Sequence, residues 1–156
     1  MAGMDYRHTQ RGRATLVVCT LGALVVLGIV ATLPPPIPVG AVASAGFAAI
    51  VMVSCAWAFS SITVQVANGE LSWYFGPGVM RKRIPLVEIA SATPARTALW
   101  QGIGIHWIGV GWLYNVALGD AVEVLTVRGK RVRIGTDEPV ALSNAIERAV
   151  RGAASR

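Results

Sequence analysis

The sequence predicts an α+β protein in which a two-helix transmembrane hairpin precedes an antiparallel β-sheet closed by a C-terminal amphipathic helix. Three observations carry this prediction. The 56 residues from 14 to 69 contain no Asp, Glu, Lys or Arg. A proline cluster, Pro34-Pro35-Pro36-Ile37-Pro38, divides that stretch in two. From Ile62 the near-continuous apolar run gives way to a two-residue alternation, the repeat of a strand. With 54% of the chain apolar and 14% charged, intrinsic disorder is excluded and an ordinary soluble domain is disfavoured.

Residues 1–13 read as a basic cytoplasmic flank carrying Arg7, Arg11 and Arg13. Residues 14–33 and 39–60 are then two spans, each long enough at 1.5 Å per residue for a hydrocarbon core of roughly 30 Å. Between them the prolines lack the N–H a helix needs, and so short a link forces an antiparallel hairpin. The arginines precede the first span and the link carries no charge, so the positive-inside bias places the N-terminus in the cytoplasm. Two crossings return the chain there, making an integral cytoplasmic (inner) membrane protein with both termini inside. A cleaved signal peptide would have a shorter apolar run of roughly 7 to 15 residues.

Cys19 and Cys55 are the only ionisable side chains in the spans, which argues against a proton or ion path through this hairpin alone. Without Cys-x-x-Cys spacing or a nearby His they read as apolar packing residues. Gly40, Ser44 and Ala48, like Ala41, Ala45 and Ala49, recur every four residues on the second span. Such stripes let a second helix approach closely, either the first span or another copy of the chain.

Residues 61–152 read as the folded cytoplasmic domain, with 153–156 as a tail. Ile62, Val64 and Val66 alternate with polar or small residues up to Asn68-Gly69, a strong hairpin signal, and Leu71, Trp73 and Phe75 resume the pattern. Further strands are expected at 79–84, 87–92, 122–127 and 131–134. Thr136-Asp137-Glu138-Pro139 has the capping side chain, acids and first-turn proline of a helix start. Leu142, Ala145, Ile146, Ala149 and Val150 then form one apolar face, and Gly152 supplies the expected stop.

The uncharged segment 98–118 is long enough to pass for a third span. Its four glycines, with Gln101, His106 and Asn115, weaken a helix, and a crossing there would put Arg128, Lys130, Arg131 and Arg133 outside. It reads instead as a glycine-rich strand pair or extended loop. Trp100, Trp107, Trp112 and Tyr114 then either fill the core or rest at the membrane interface, where such rings are favoured.

Residues 62–151 resemble the bacterial pleckstrin-homology-like domains. The likeness rests on Asn68-Gly69-Glu70-Leu71, the Arg83-Ile84-Pro85-Leu86-Val87-Glu88-Ile89 junction, and Arg133-Ile134-Gly135-Thr136-Asp137-Glu138-Pro139 before the helix. The glycine and aromatic run from Gly102 to Val116 adds to it. The resemblance implies a curved antiparallel sheet or barrel plugged by the C-terminal helix, and binding or scaffolding rather than catalysis. Relatives that grip phosphoinositides use basic residues around the first hairpin. Here that turn is Asn68-Gly69-Glu70, so no phosphate site carries over to it.

The basic residues lie elsewhere, at Arg81, Lys82 and Arg83 and at Arg128, Lys130, Arg131 and Arg133. They are candidates for contact with anionic lipid or an acidic partner, against the plainer reading of a solvated face. Strand alternation puts Arg81 and Arg83 opposite Lys82, which halves any patch. A lone His106 among apolar residues and scattered carboxylates assemble no catalytic constellation, and the glycine pairs lack the dinucleotide fingerprint. No enzyme activity, cofactor, metal or nucleic-acid partner is expected. The expected function is a membrane-tethered scaffold that docks a protein partner or its own copies. The alternative is a binder of anionic lipid at the inner leaflet.

Overall fold

The computed structural model describes residues 4–98 and 101–154. Strand β1 spans Met4–Arg11, helix α1 Arg13–Ala31 and helix α2 Val39–Ala58. Strands β2 (Ser61–Ala67), β3 (Glu70–Phe75) and β4 (Val79–Pro85) follow. A 3-10 turn, Leu86–Glu88, leads into β5 (Ile89–Thr97). Then come β6 (Gly104–Trp107), β7 (Trp112–Asn115), β8 (Gly119–Thr126), β9 (Arg131–Gly135) and helix α3 (Pro139–Ala154).

At 1.5 Å per residue the 19 and 20 residues of α1 and α2 give lengths of about 28 and 30 Å. Both helices are long and apolar enough to cross a membrane. Their only described buried residues are Ala23 on α1 and Ala45 and Ala56 on α2, small side chains suited to close helix contact. Leu24, Val25, Ile29, Phe47, Ile50 and Trp57 are exposed, so the pair is not a core element of the domain. α1 ends at Ala31, where the Thr32 N–H and hydroxyl bond to carbonyls of the last turn. Pro38 caps α2 from an extended conformation.

The strands form two sheets rather than one, with orders β1-β2-β3-β4 and β5-β8-β9-β7-β6. Neither closes into a barrel. Every pair is antiparallel except β7 with β9, which run parallel, so the expected all-antiparallel sheet is corrected at that point. Three further expectations change. The segment before the first span is not merely a basic flank, because residues 4–11 form β1 and pair with β2 from Met4↔Ala67 to Arg11↔Ser61. The strand expected at 87–92 is the 3-10 turn followed by β5. Helix α3 continues through Gly152 to Ala154.

Alternation sends Ile62, Val64 and Val66 of β2 and Leu71, Trp73 and Phe75 of β3 into one core. Tyr114, Val122, Val124 and Ile134 meet them from the second sheet, and Leu142 and Ile146 of α3 complete the cluster. The Trp73 and Tyr114 rings meet edge to face at 5.2 Å, and Phe59, just after α2, meets Phe75 in the same way at 5.2 Å. Among its described residues, segment 98–118 contains a strand pair, β6 and β7, and no helix long and apolar enough to be a third span.

The order of elements has a topological consequence. β1 and β2 are adjacent antiparallel strands, and what joins them is not a turn but the whole helical hairpin. The Gly12 N–H donates to the Ser60 carbonyl at 2.7 Å, closing the ladder just where the helices begin and end. The two ends of the hairpin therefore lie on one side, next to the folded domain.

Candidate functional site

The basic residues of β4 lie on the first sheet. Register places Lys82 opposite Trp73, and Arg83 opposite Ser72 on the other face, as alternation requires. Arg81 sits over the Tyr74 ring at 4.8 Å, while Arg7 from β1 donates to the Tyr74 hydroxyl at 3.4 Å. Arg83 is 3.7 Å from Glu70. Lys82 is exposed.

The second basic group lies on the other sheet and is largely matched by carboxylates. Arg128 is 3.8 Å from Glu88, Arg131 is 3.3 Å from Glu123, and the Arg133 Nε donates to Glu123 at 2.8 Å. Lys130 is exposed in the β8–β9 turn. The fold does not bring the two groups onto one sheet, and two carboxylates, Glu88 and Glu123, offset half of the four positive charges of the second. Sequence shows the positive charges readily but conceals partners such as Glu123, which reaches Arg131 and Arg133 only once β8 and β9 are paired.

The aromatic candidates divide. Tyr114 is buried in the core, and burial pushes its hydroxyl pKa up. Trp107 and Trp112 are cross-strand partners at the end of the β6–β7 hairpin, with rings edge to face at 6.0 Å, and are 59% and 46% exposed. Val110 in the connecting turn is also exposed. Trp100 lies outside the described residues. Asn115, fully buried, fixes the base of this hairpin: its Oδ1 accepts from the Gly104 N–H at 2.9 Å, and its Nδ2 donates to the Gly102 and Ala117 carbonyls, each at 3.1 Å. Ile103, Gly104 and Ile105 line a cleft of about 390 Å³ with Ala14, Thr15, Val18 and Cys19, so the start of β6 lies alongside the first turns of α1.

On α2 the two small-residue stripes differ. Ala41 and Ala49 are partly covered and flank the buried Ala45, whereas Gly40 and Ser44 are exposed and Ala48 is partly covered. The stripe of Ala41, Ala45 and Ala49 is thus the more covered of the two. The Ser44 hydroxyl turns back to the Ala41 carbonyl at 3.1 Å.

Two features were not singled out from sequence. His8 of β1 lies between Asp137 and Glu138, with Nε2 2.6 Å from Asp137 Oδ1 and Nδ1 3.4 Å from Glu138 Oε2. The Tyr6 hydroxyl donates to the same Glu138 at 3.3 Å. These contacts tie the first strand to the start of α3. The other is a cleft of about 720 Å³ beside the domain end of α1, lined by Thr9, Arg11, Gly12, Arg13, Leu16, Val17, Ser60 and Ser61. Among the described residues, no group of three or more His, Cys, Asp or Glu is placed to hold a metal ion. Comparison with protein families, with curated proteins and with solved structures finds no match to this chain.

Proposed function

We propose that the protein is a membrane-tethered, non-catalytic interaction module on the cytoplasmic face of the membrane, with both termini inside, that docks a protein partner or its own copies. The observation that carries this reading is the β6–β7 tip. Trp107, Val110 and Trp112 are exposed on a hairpin whose base Asn115 holds rigid, and exposed aromatics on a rigid support suit a binding surface. The pleckstrin-homology-like likeness belongs to the same reading. Its support is two sheets around one core with a C-terminal helix packed against them; the parallel β7–β9 pair departs from it. The non-catalytic part rests on titratable side chains that serve structure, with Glu123, Asp137 and Glu138 all engaged by neighbouring strands.

A photo-crosslinking residue in place of Val110, in the full-length chain in intact cells, tests the docking surface. A discrete protein adduct that disappears with Trp107→Ser and Trp112→Ser is the expected result. Adducts to lipid alone would show that the tip rests in the bilayer and would overturn protein docking.

The alternative, contact with anionic lipid, has its own observation. Of the basic groups, Lys82 and Lys130 are exposed and make no ion pair among the described residues, and Trp107 and Trp112 are exposed as well.

A further inference from the structure

We infer that the protein holds an anionic glycerophospholipid in a groove along α1, at the level where the helical hairpin meets the folded domain. The groove is formed by two adjoining cavities that share Leu16 and Ser60 as wall residues. The larger, about 720 Å³, has a mostly apolar wall that includes Arg11, Arg13 and Ser61, while the Thr9 hydroxyl is taken up by Thr63 at 2.9 Å. The smaller, about 300 Å³, runs between the helices and is lined by Cys19, Thr20, Val53, Ala56 and Trp57. An apolar groove with two arginines in the wall of one end matches one kind of molecule, a headgroup bearing phosphate joined to an acyl chain.

Charge supports this occupant. Arg83, Arg128, Arg131 and Arg133 each lie within 4.0 Å of a carboxylate, but among the described residues Arg11 and Arg13 do not. Arg11 ends β1 and Arg13 opens α1, so the end of the strand and the start of the helix bring both arginines to the wall of the same cavity. Guanidinium is also the side chain best shaped to grip phosphate oxygens in pairs. The site is separate from the Asn68-Gly69 hairpin and from the basic residues of β4 and β9. It involves neither Trp107 nor Trp112, so it stands apart from the docking surface and rests only on insertion of α1 and α2 into the bilayer.

The test uses the full-length chain in mild detergent, with lipid retention read by native mass spectrometry at equal mole fractions of phosphatidylglycerol and phosphatidylcholine. Wild type should retain phosphatidylglycerol preferentially. Arg11→Gln with Arg13→Gln should weaken that retention about thirtyfold, the effect of two basic side chains facing an anionic headgroup. Arg81→Gln with Arg83→Gln should leave it unchanged. Thr20→Phe, which narrows the apolar end without altering charge, should also weaken retention. Equal retention of the two lipids, or equal loss in both arginine pairs, would overturn the site. Displacement of lipid by glycerol 3-phosphate alone would show a site for soluble phosphate and overturn the lipid assignment. Carbonate extraction of membranes reports insertion separately: a chain that washes out contradicts the spans, whereas an embedded chain without lipid preference contradicts only the groove.

Discussion

Gly12 joins the first strand to the first helix, and nothing larger fits there. A Cβ on it would stand 2.6 Å from the Phe59 carbonyl oxygen and 3.0 Å from the Val116 Cβ. Gly12→Ala should therefore destabilise the protein by about 1–3 kcal/mol, as overpacking against a fixed backbone does. Denaturant unfolding of the full chain in detergent measures it, and an unchanged midpoint would contradict the close approach of the hairpin's two ends. Tyr6 gives a prediction in alkali. Burial, reinforced by the Glu138 carboxylate, pushes its hydroxyl from 10.0 up to about 12. Between those values the unfolded chain has lost the phenolic proton while the folded chain keeps it. The contribution is fully present below the unfolded value and is lost as pH rises through the folded one. Tyr6→Phe should flatten the fall in thermal stability across that window. An alkaline profile identical to wild type would remove Tyr6 from the account.

At the scale of elements, α3 holds the two sheets to a common core through Leu142 and Ile146, both fully buried. Leu142→Ala or Ile146→Ala should cost about 2–5 kcal/mol. Val140→Ala, at a 61% exposed position of the same helix, should change stability by less than about 0.5 kcal/mol. Equal effects at buried and exposed positions would show that α3 is not docked as described. The elements legible in the sequence are those with an apolar repeat: β2 and β3 by alternation, α1 and α2 by length without charge, α3 by its apolar face. β1 was illegible for the converse reason. Tyr6, His8 and Gln10 on one face and Arg7, Thr9 and Arg11 on the other carry no hydrophobic alternation, and only pairing with β2 makes them a strand. The division into two sheets is a long-range property that no local pattern encodes, and so is the parallel β7–β9 pair. The candidate site was legible as composition, in its arginines and tryptophans. Which of those are free was not, because Glu123, Glu88 and Glu70 meet their partners only through strand register.

For the whole molecule, the helical hairpin is an insertion between two neighbouring strands of one sheet. Pairing of β1 with β2 demands that the residues before the first helix and the domain after the second share a compartment, whichever way the hairpin points. On the proposed reading that compartment is the cytoplasm, because arginines stand at the domain end of α1 and the proline link carries no charge. The helical hairpin is joined to the domain at both ends, and the start of β6 lies beside α1. Accessibility of single cysteines tests this arrangement most directly. In a background with Cys19→Ala and Cys55→Ala, the substitutions Arg7→Cys, Lys82→Cys and Ile37→Cys report on β1, on the domain and on the proline link. A membrane-impermeant maleimide applied to intact cells should label Ile37→Cys alone, with Arg7→Cys and Lys82→Cys labelled together only after permeabilisation. Labelling of Arg7→Cys and Lys82→Cys from opposite sides, or of both from outside the intact cell, would contradict it.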